Sequence, residues 1–301
     1  MRLKYPLISN KELIDLKFLF RIYVMNEFRP SRFELLPPVI KNLVIINVLV
    51  LIAQNTIGKQ LPFSVDNVFA LHSWKSSLFQ PWQLITHLFM HGGLMHILGN
   101  MINLWFFGAT LENLWGGKRF LIFYIICGLG AALLQLLFLN YEVAQLTKEY
   151  VDLVAMHANG AKGAAEAMLH YALKHGINLN DDFVNYLRSN PNDNEATGKL
   201  LEALESSFKQ KLDTPTIGAS GAVFGVMAGF AYLFPNDYIY LNFFIPIKVK
   251  WYVLGYFGIE LFSSIKNSVG DNVAHWAHIG GAIVGLLLVI TWNKTNRKTF
   301  Y

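Results

Sequence analysis

Apolar runs about 20 residues long recur along the chain, near 38–57, 94–113, 119–140, 216–234, 249–265 and 274–292. Their length is the strongest constraint on the fold, because a helix rising 1.5 Å per residue needs about 20 residues to cross roughly 30 Å of hydrocarbon. Composition agrees: 53% of the 301 residues are hydrophobic and only 15% charged, where soluble domains approach a quarter charged. The class is integral membrane, which excludes a disordered, collagenous or disulfide-stapled chain. The one cysteine, Cys127, lies inside an apolar run, so no intrachain disulfide forms and the thiol reads as a small buried hydrophobe. The net charge of +5 does not point to nucleic acid. Its basic residues flank the runs instead of forming a patch interleaved with aromatics.

Lys and Arg set the expected orientation. The first 37 residues carry seven of them and no apolar stretch followed by a cleavage site, so they read as a retained cytoplasmic leader. With the N-terminus inside, fifteen Lys or Arg fall in the leader, inner loops and tail, against three, Lys59, Lys75 and Lys266, in the short outer loops. Both termini are then inside, and spans two, four and six all enter from the outer face. Between spans three and four, residues 141–213 hold seven basic and eleven acidic residues and read as a soluble helical insertion outside the membrane. Val143 to Tyr171 looks helical, Ser189 to Asp193 looks like a turn, and His157, His170 and His175 read as surface residues. The expected organisation is a cytoplasmic leader (1–37), core helices one to three (38–140), an extracytoplasmic insertion (141–214), core helices four to six (215–292) and a cytoplasmic tail (293–301).

Polar groups at membrane depth cost free energy unless paired or set in a wet cavity, so each is a functional candidate. Three clusters qualify. Span two carries His96 and Asn100, four apart and on one helix face, after His87 and His91 in the preceding loop. Span four opens on Gly218-Ala219-Ser220-Gly221, with Gly221, Gly225 and Gly229 forming a stripe for close helix approach. Span six opens on His275-Trp276-Ala277-His278, followed by Gly281 and Gly285 at the same small-residue spacing. Because the three spans share a direction, Ser220, His278, His96 and Asn100 fall at similar depth. A serine needs a base to take its proton, and an oxyanion needs preorganised donors. The set therefore reads as a Ser/His acyl-transfer site without an acid, no Asp or Glu being expected near the cluster. Depth alone does not choose between His275 and His278 as the base.

HxxxHxxxxHxxxN at His87, His91, His96 and Asn100, GxSG at Gly218 to Gly221, and AHxxG at Ala277 to Gly281 together resemble the rhomboid intramembrane serine proteases. The resemblance covers about 38–139 and 215–292. It implies an all-α polytopic membrane protein, a six-transmembrane-helix bundle, here with the insertion between helices three and four. It further implies Ser220 as nucleophile, His278 as base, and His96 with Asn100 as oxyanion donors. His87 and His91 are expected to support the first loop or a water route, and Glu112 to act as a structural hydrogen-bond partner. Two positions depart from the family pattern. Gln83 follows Trp82 where an arginine is common, removing the donors that would tie the first loop down. Phe224 stands where a tyrosine often stacks on the histidine, keeping the aromatic face and losing the hydroxyl.

The reading is an intramembrane serine endopeptidase that cuts single-pass transmembrane substrates near the outer face, needing no cofactor and no metal. Its partners are membrane lipids and those substrates, and its expected location is a bacterial cytoplasmic membrane. A catalytically silent client binder would bind equally well without Ser220. A His-based metal or proton transporter would respond to chelators and ignore Ser220→Ala.

Overall fold

The computed structural model describes residues 33–241, 245–266 and 273–295. Residues 1–32 of the expected leader and 296–301 of the tail lie outside them. Six helices occupy the six apolar runs: α1 (Pro38–Asn55), α4 (Leu94–Trp115), α5 (Gly117–Ala158), α9 (Ser220–Leu233), α10 (Val249–Lys266) and α11 (His275–Thr295). In the first loop lie two short helices, α2 (Val65–Phe69) and α3 (Gln83–Thr86); the insertion adds α6 (Ala164–Lys174), α7 (Asp181–Ser189) and α8 (Asn194–Leu212). Beside the helices, β1 (Tyr238–Leu241) and β2 (Ile245–Lys248) pair antiparallel between α9 and α10.

The protein is an integral membrane protein of helical, polytopic architecture. Among the described residues four helices, α1, α4, α5 and α11, are long and apolar enough to cross a membrane, whereas α9 is a shorter apolar helix. The outward side chains of α1, among them Ile45, Leu49 and Ile52, are exposed in the isolated chain. In lipid they need no protein partner, and a wholly apolar outer face is what a spanning helix presents. The opposite faces meet in one core of Leu104, Phe107, Leu111, Phe120, Phe123, Tyr124, Val226 and Met227. Cys127 is buried in it.

Glycines let α9 and α11 touch backbone to backbone. A methyl group at Gly281 would run into the carbonyl of Gly221, and one at Gly285 into that of Gly225. On the other side of the pair, α5 closes in: a methyl at Gly221 would strike Ala131, and one at Gly280 would come 2.9 Å from the carbonyl of Gly130. Both expected stripes therefore face each other, the arrangement small residues permit when helices associate in lipid. Glu112, buried near the end of α4, accepts the Val39 and Ile40 backbone N–H groups at 2.9 and 2.8 Å. It thereby caps two donors that the first turn of α1 leaves open.

Helix α5 is 42 residues long, about 63 Å, and runs without a break from the core into the insertion. There α6, α7 and α8 pack on its distal half around Met168, Leu187, Leu200 and Leu204. Caps set the two later helices, with Asn180 accepting from Asp182 N–H at 2.8 Å and Asp193 from Glu195 N–H at 2.9 Å. The turn expected at Ser189 to Asp193 is the α7–α8 junction. Of the three histidines there, His170 is exposed, His157 half-buried, and His175 pairs with Glu149 at 2.9 Å.

Candidate active site

A short extended segment aims the α9 entrance. Leu71 of the first loop and Thr216 exchange both backbone hydrogen bonds, at 2.9 and 2.8 Å, and Gly218 N–H donates to the His87 carbonyl at 2.9 Å. Gly218 has φ of 124°, a region open to glycine and strained for other residues. Helix α9 then begins at Ser220 itself, leaving the Ser220 and Gly221 N–H groups among those with no intrahelical acceptor.

The N-terminal ends of α4, α9 and α11 open onto one cleft of about 910 Å³, lined by His96, Asn100, Ser220, Phe224, His275 and His278 among others. At its floor Ser220 Oγ lies 2.8 Å from His278 Nε2. His278 is buried and Ser220 half-exposed, so the pair is shielded behind the histidine and open at the hydroxyl. A methyl at Gly218 would sit 2.9 Å from His96 Nε2 and 3.6 Å from Ser220 Oγ, so ring and hydroxyl flank one small space that only a glycine leaves empty. Gly92 N–H donates to His96 Nδ1 at 3.3 Å, which places the proton of the neutral ring on Nε2, toward that space. Asn100 is 7% exposed, and its Nδ2 has no hydrogen-bond partner among the described residues. Buried amide donors are rarely left so, and this one lines the same cleft as the Ser220 hydroxyl.

The sequence model of the Rhomboid domain matches residues 78–188 and 196–294. The chain belongs to the rhomboid family. It is 26% identical to RHOMBOID-like protein 12, mitochondrial, of Arabidopsis thaliana over 263 residues, 87% of this chain and 60% of that protein. With Rhomboid protease GlpG of Salmonella newport it shares 33% identity over 93 residues, 29% of this chain and 31% of that protein. With RHOMBOID-like protein 1 of Arabidopsis thaliana it shares 42% over 57 residues, 19% of this chain and 15% of that protein. The chain thus spans about 60% of the length of the first of these relatives and a smaller part of the other two.

Within this rhomboid core Phe224 stacks on His278, ring centroids 4.4 Å apart and planes at 4°, and Tyr256 packs against the far side of Phe224 at 5.0 Å. His87 and His91 are buried in the first loop. His87 Nδ1 donates to the Gln83 carbonyl at 2.7 Å, and burial pulls its pKa down to about 4. His91 lies edge-on to His96 at 5.0 Å between centroids; burial first, and the neighbouring His96 second, lower its pKa to about 4. Both are neutral packing elements of the loop at physiological pH.

Gln83 ties the loop without the arginine's donors. Fully buried, it accepts from the His72 and Gln80 N–H groups through Oε1, and its Nε2 donates toward the carbonyls of Asn67, Val68 and Leu78, the last at 2.9 Å. Unlike an arginine, a neutral amide can both donate and accept, so one side chain knits both halves of the loop.

Glu260 corrects the expectation that no acid stands near the cluster. It is buried on α10, with Oε2 at 2.5 Å from His275 Nδ1 and 2.9 Å from His278 Nδ1. The second contact has ion-pair distance without hydrogen-bond alignment. The sequence shows it only as a lone carboxylate in an apolar run, marked by no motif. It is also the contact that separates the two histidines, since His275 turns to Glu260 while His278 alone meets Ser220.

Proposed function

We propose that the chain is an intramembrane serine endopeptidase that cuts transmembrane protein substrates near one membrane face. The observation that carries this reading is the 2.8 Å contact of Ser220 Oγ with His278 Nε2 in a cleft that also holds an unpartnered Asn100 amide. Membership of a family that includes a protein named as a protease supports it.

In this reading His278 Nε2 takes the Ser220 proton as Oγ bonds to the scissile carbonyl carbon. The carbonyl oxygen, now negative, accepts from Asn100 Nδ2, His96 Nε2–H and the Ser220 N–H. The imidazolium then gives its proton to the leaving nitrogen, the C–N bond breaks, and an ester remains on Ser220. Water, deprotonated by the same nitrogen, hydrolyses that ester and restores the serine. A substrate helix must unwind before its carbonyl can reach Ser220, so segments with glycine or other weak helix formers are the preferred sites. The cut lies on the side where the insertion stands, outside the membrane, with both termini on the opposite side and six spans in all.

Cleavage of a labelled single-pass peptide by purified protein in liposomes tests the reading, with wild type, Ser220→Ala and His278→Ala compared with and without chelator. Loss in both variants and indifference to chelator is the expected result. Cleavage that survives Ser220→Ala and stops with chelator would overturn it, since Glu260, His275 and His278 offer three ligand atoms within 4.8 Å of one another and a metal-dependent reaction would then take its place.

A further inference from the structure

We infer that Glu260 is a positioning residue for catalysis, the third member of a Ser220–His278–Glu260 relay held from its far side by His275. The inference rests on the serine-protease reading of the cleft and adds to it a component that the three sequence motifs do not contain.

Three observations carry it. First, the contacts are in series: Ser220 Oγ to His278 Nε2 at 2.8 Å, then His278 Nδ1 to Glu260 Oε2 at 2.9 Å. Second, Glu260 is 6% exposed, and a buried carboxylate is retained only where it is paired. Its partners here are the two imidazoles, His275 Nδ1 at 2.5 Å and His278 Nδ1. Third, the acid comes from α10, outside the three helices that supply the nucleophile, the base and the oxyanion donors, so helix packing alone brings it to the one nitrogen of His278 that faces away from Ser220.

The chemical consequence is a favoured tautomer, because a carboxylate 2.9 Å from Nδ1 draws the proton to that nitrogen even before the contact aligns as a hydrogen bond. A neutral imidazole serves as base toward Ser220 only when Nε2 is bare, and an acceptor at Nδ1 puts the proton on that nitrogen. When His278 takes the serine proton, the carboxylate stands beside the new imidazolium and the N–H line to it closes up, as catalytic hydrogen bonds commonly do on reaching the reacting complex. Glu260 remains ionised throughout. No proton passes to it, and each proton taken from Ser220 or water leaves through Nε2. His275, one helical turn before His278, bonds the same oxygen and so keeps the carboxylate from swinging into the cleft, while Phe224 holds the other degree of freedom by stacking on the ring at 4.4 Å.

Glu260→Gln preserves shape and removes the charge. In liposomes it should lower kcat for the labelled peptide by roughly 10²- to 10⁴-fold, the scale seen when the acid of a Ser/His/acid site is amidated, with KM within about two-fold of wild type. Glu260→Asp should recover part of the loss. A kcat within about three-fold of wild type in Glu260→Gln would overturn the inference while leaving the protease reading intact. A wild type that neither cleaves nor reacts with a fluorophosphonate at Ser220 would remove that reading, and this one with it. Should Glu260→Gln fail to fold, the wild type decides: in ¹⁵N-histidine-labelled protein, the His278 signal, assigned by its loss in His278→Gln, is expected as the Nδ1–H tautomer. An Nε2–H tautomer at neutral pH overturns the inference.

Discussion

At the scale of single residues the cleft is asymmetric, with His278 stacked by Phe224 and backed by Glu260 on one side of Ser220, and His96 with an Asn100 amide unpartnered among the described residues on the other. The unpartnered Asn100 amide is the sharpest of these features. Removing one such donor from an oxyanion site costs about 10²- to 10³-fold in kcat. Asn100→Ala should therefore fall in that range, with KM little changed in a cleavage assay. A loss expressed only in KM would make Asn100 a substrate-binding group instead. His87 and His91 make a second prediction at this scale. Each keeps its ring neutral down to about pH 4 in the fold, whereas an unfolded histidine binds its proton near 6.5. As pH falls below 6.5 the unfolded chain takes up protons that the folded one refuses, so unfolding is favoured by up to about 1.4 kcal/mol per pH unit for each histidine until about pH 4. Melting temperature in detergent should drop between pH 7 and 5, and His87→Gln should flatten the slope. Ser220, His96 and Asn100 stood out in the sequence as polar groups on helices expected to share a direction, whereas the choice of His278 over His275 came only from its resemblance to the AHxxG motif. Glu260 was not, because a lone carboxylate about three turns along an apolar run carries no motif. Gln83 was read as a missing arginine, because its value lies in accepting as well as donating, and that shows only when the loop is folded around it.

At the scale of elements the contact of α9 with α11 decides whether the chemistry exists at all. Their glycines hold Ser220 and His278 within one hydrogen bond, and neither stripe has room for a methyl. Gly281→Ala forces the α11 backbone off the Gly221 carbonyl. Overpacking of this kind costs typically 1–3 kcal/mol, so the variant should melt lower in detergent and lose cleavage together. An unchanged melt would show that the two helices have slack absent from the structure. Helix existence was legible from run length and small-residue spacing. The end of α5 was not: a span boundary is expected where hydropathy falls, near residue 140, yet the helix continues to Ala158, since backbone hydrogen bonding is indifferent to the change from lipid-facing to water-facing side chains. The β1–β2 hairpin escaped for a related reason, being a short polar-edged link between two dominant apolar runs.

At the scale of the whole molecule, the insertion and the core meet at the mouth of the cleft. Glu142 of α5, and Ser207, Gln210 and Lys211 of α8, line it together with Ser220 and His278. Asp213, just beyond α8, accepts the Ser76 hydroxyl of the first loop at 2.5 Å, and the Ser73 hydroxyl donates to Asn140 of α5 at 2.7 Å. A substrate entering the cleft from the side of the insertion meets these residues before it meets the nucleophile. Lys211→Glu should raise KM several-fold for a peptide with acidic residues next to its membrane segment, leave kcat unchanged, and do less as salt is raised. Equal KM for acidic and basic peptides in both proteins would show that substrate bypasses this wall. The insertion was legible from its charge and helical composition, but its position over the cleft depends on where α5 points, which no local pattern encodes. That helix is also a lever with two working ends. Its far half carries the whole insertion, and its near half rests, through Gly130 and Ala131, against the seam where Gly221 and Gly280 lie. A partner that grips the insertion therefore holds one end of an unbroken helix whose other end braces the seam beside Ser220, with no loop between the two.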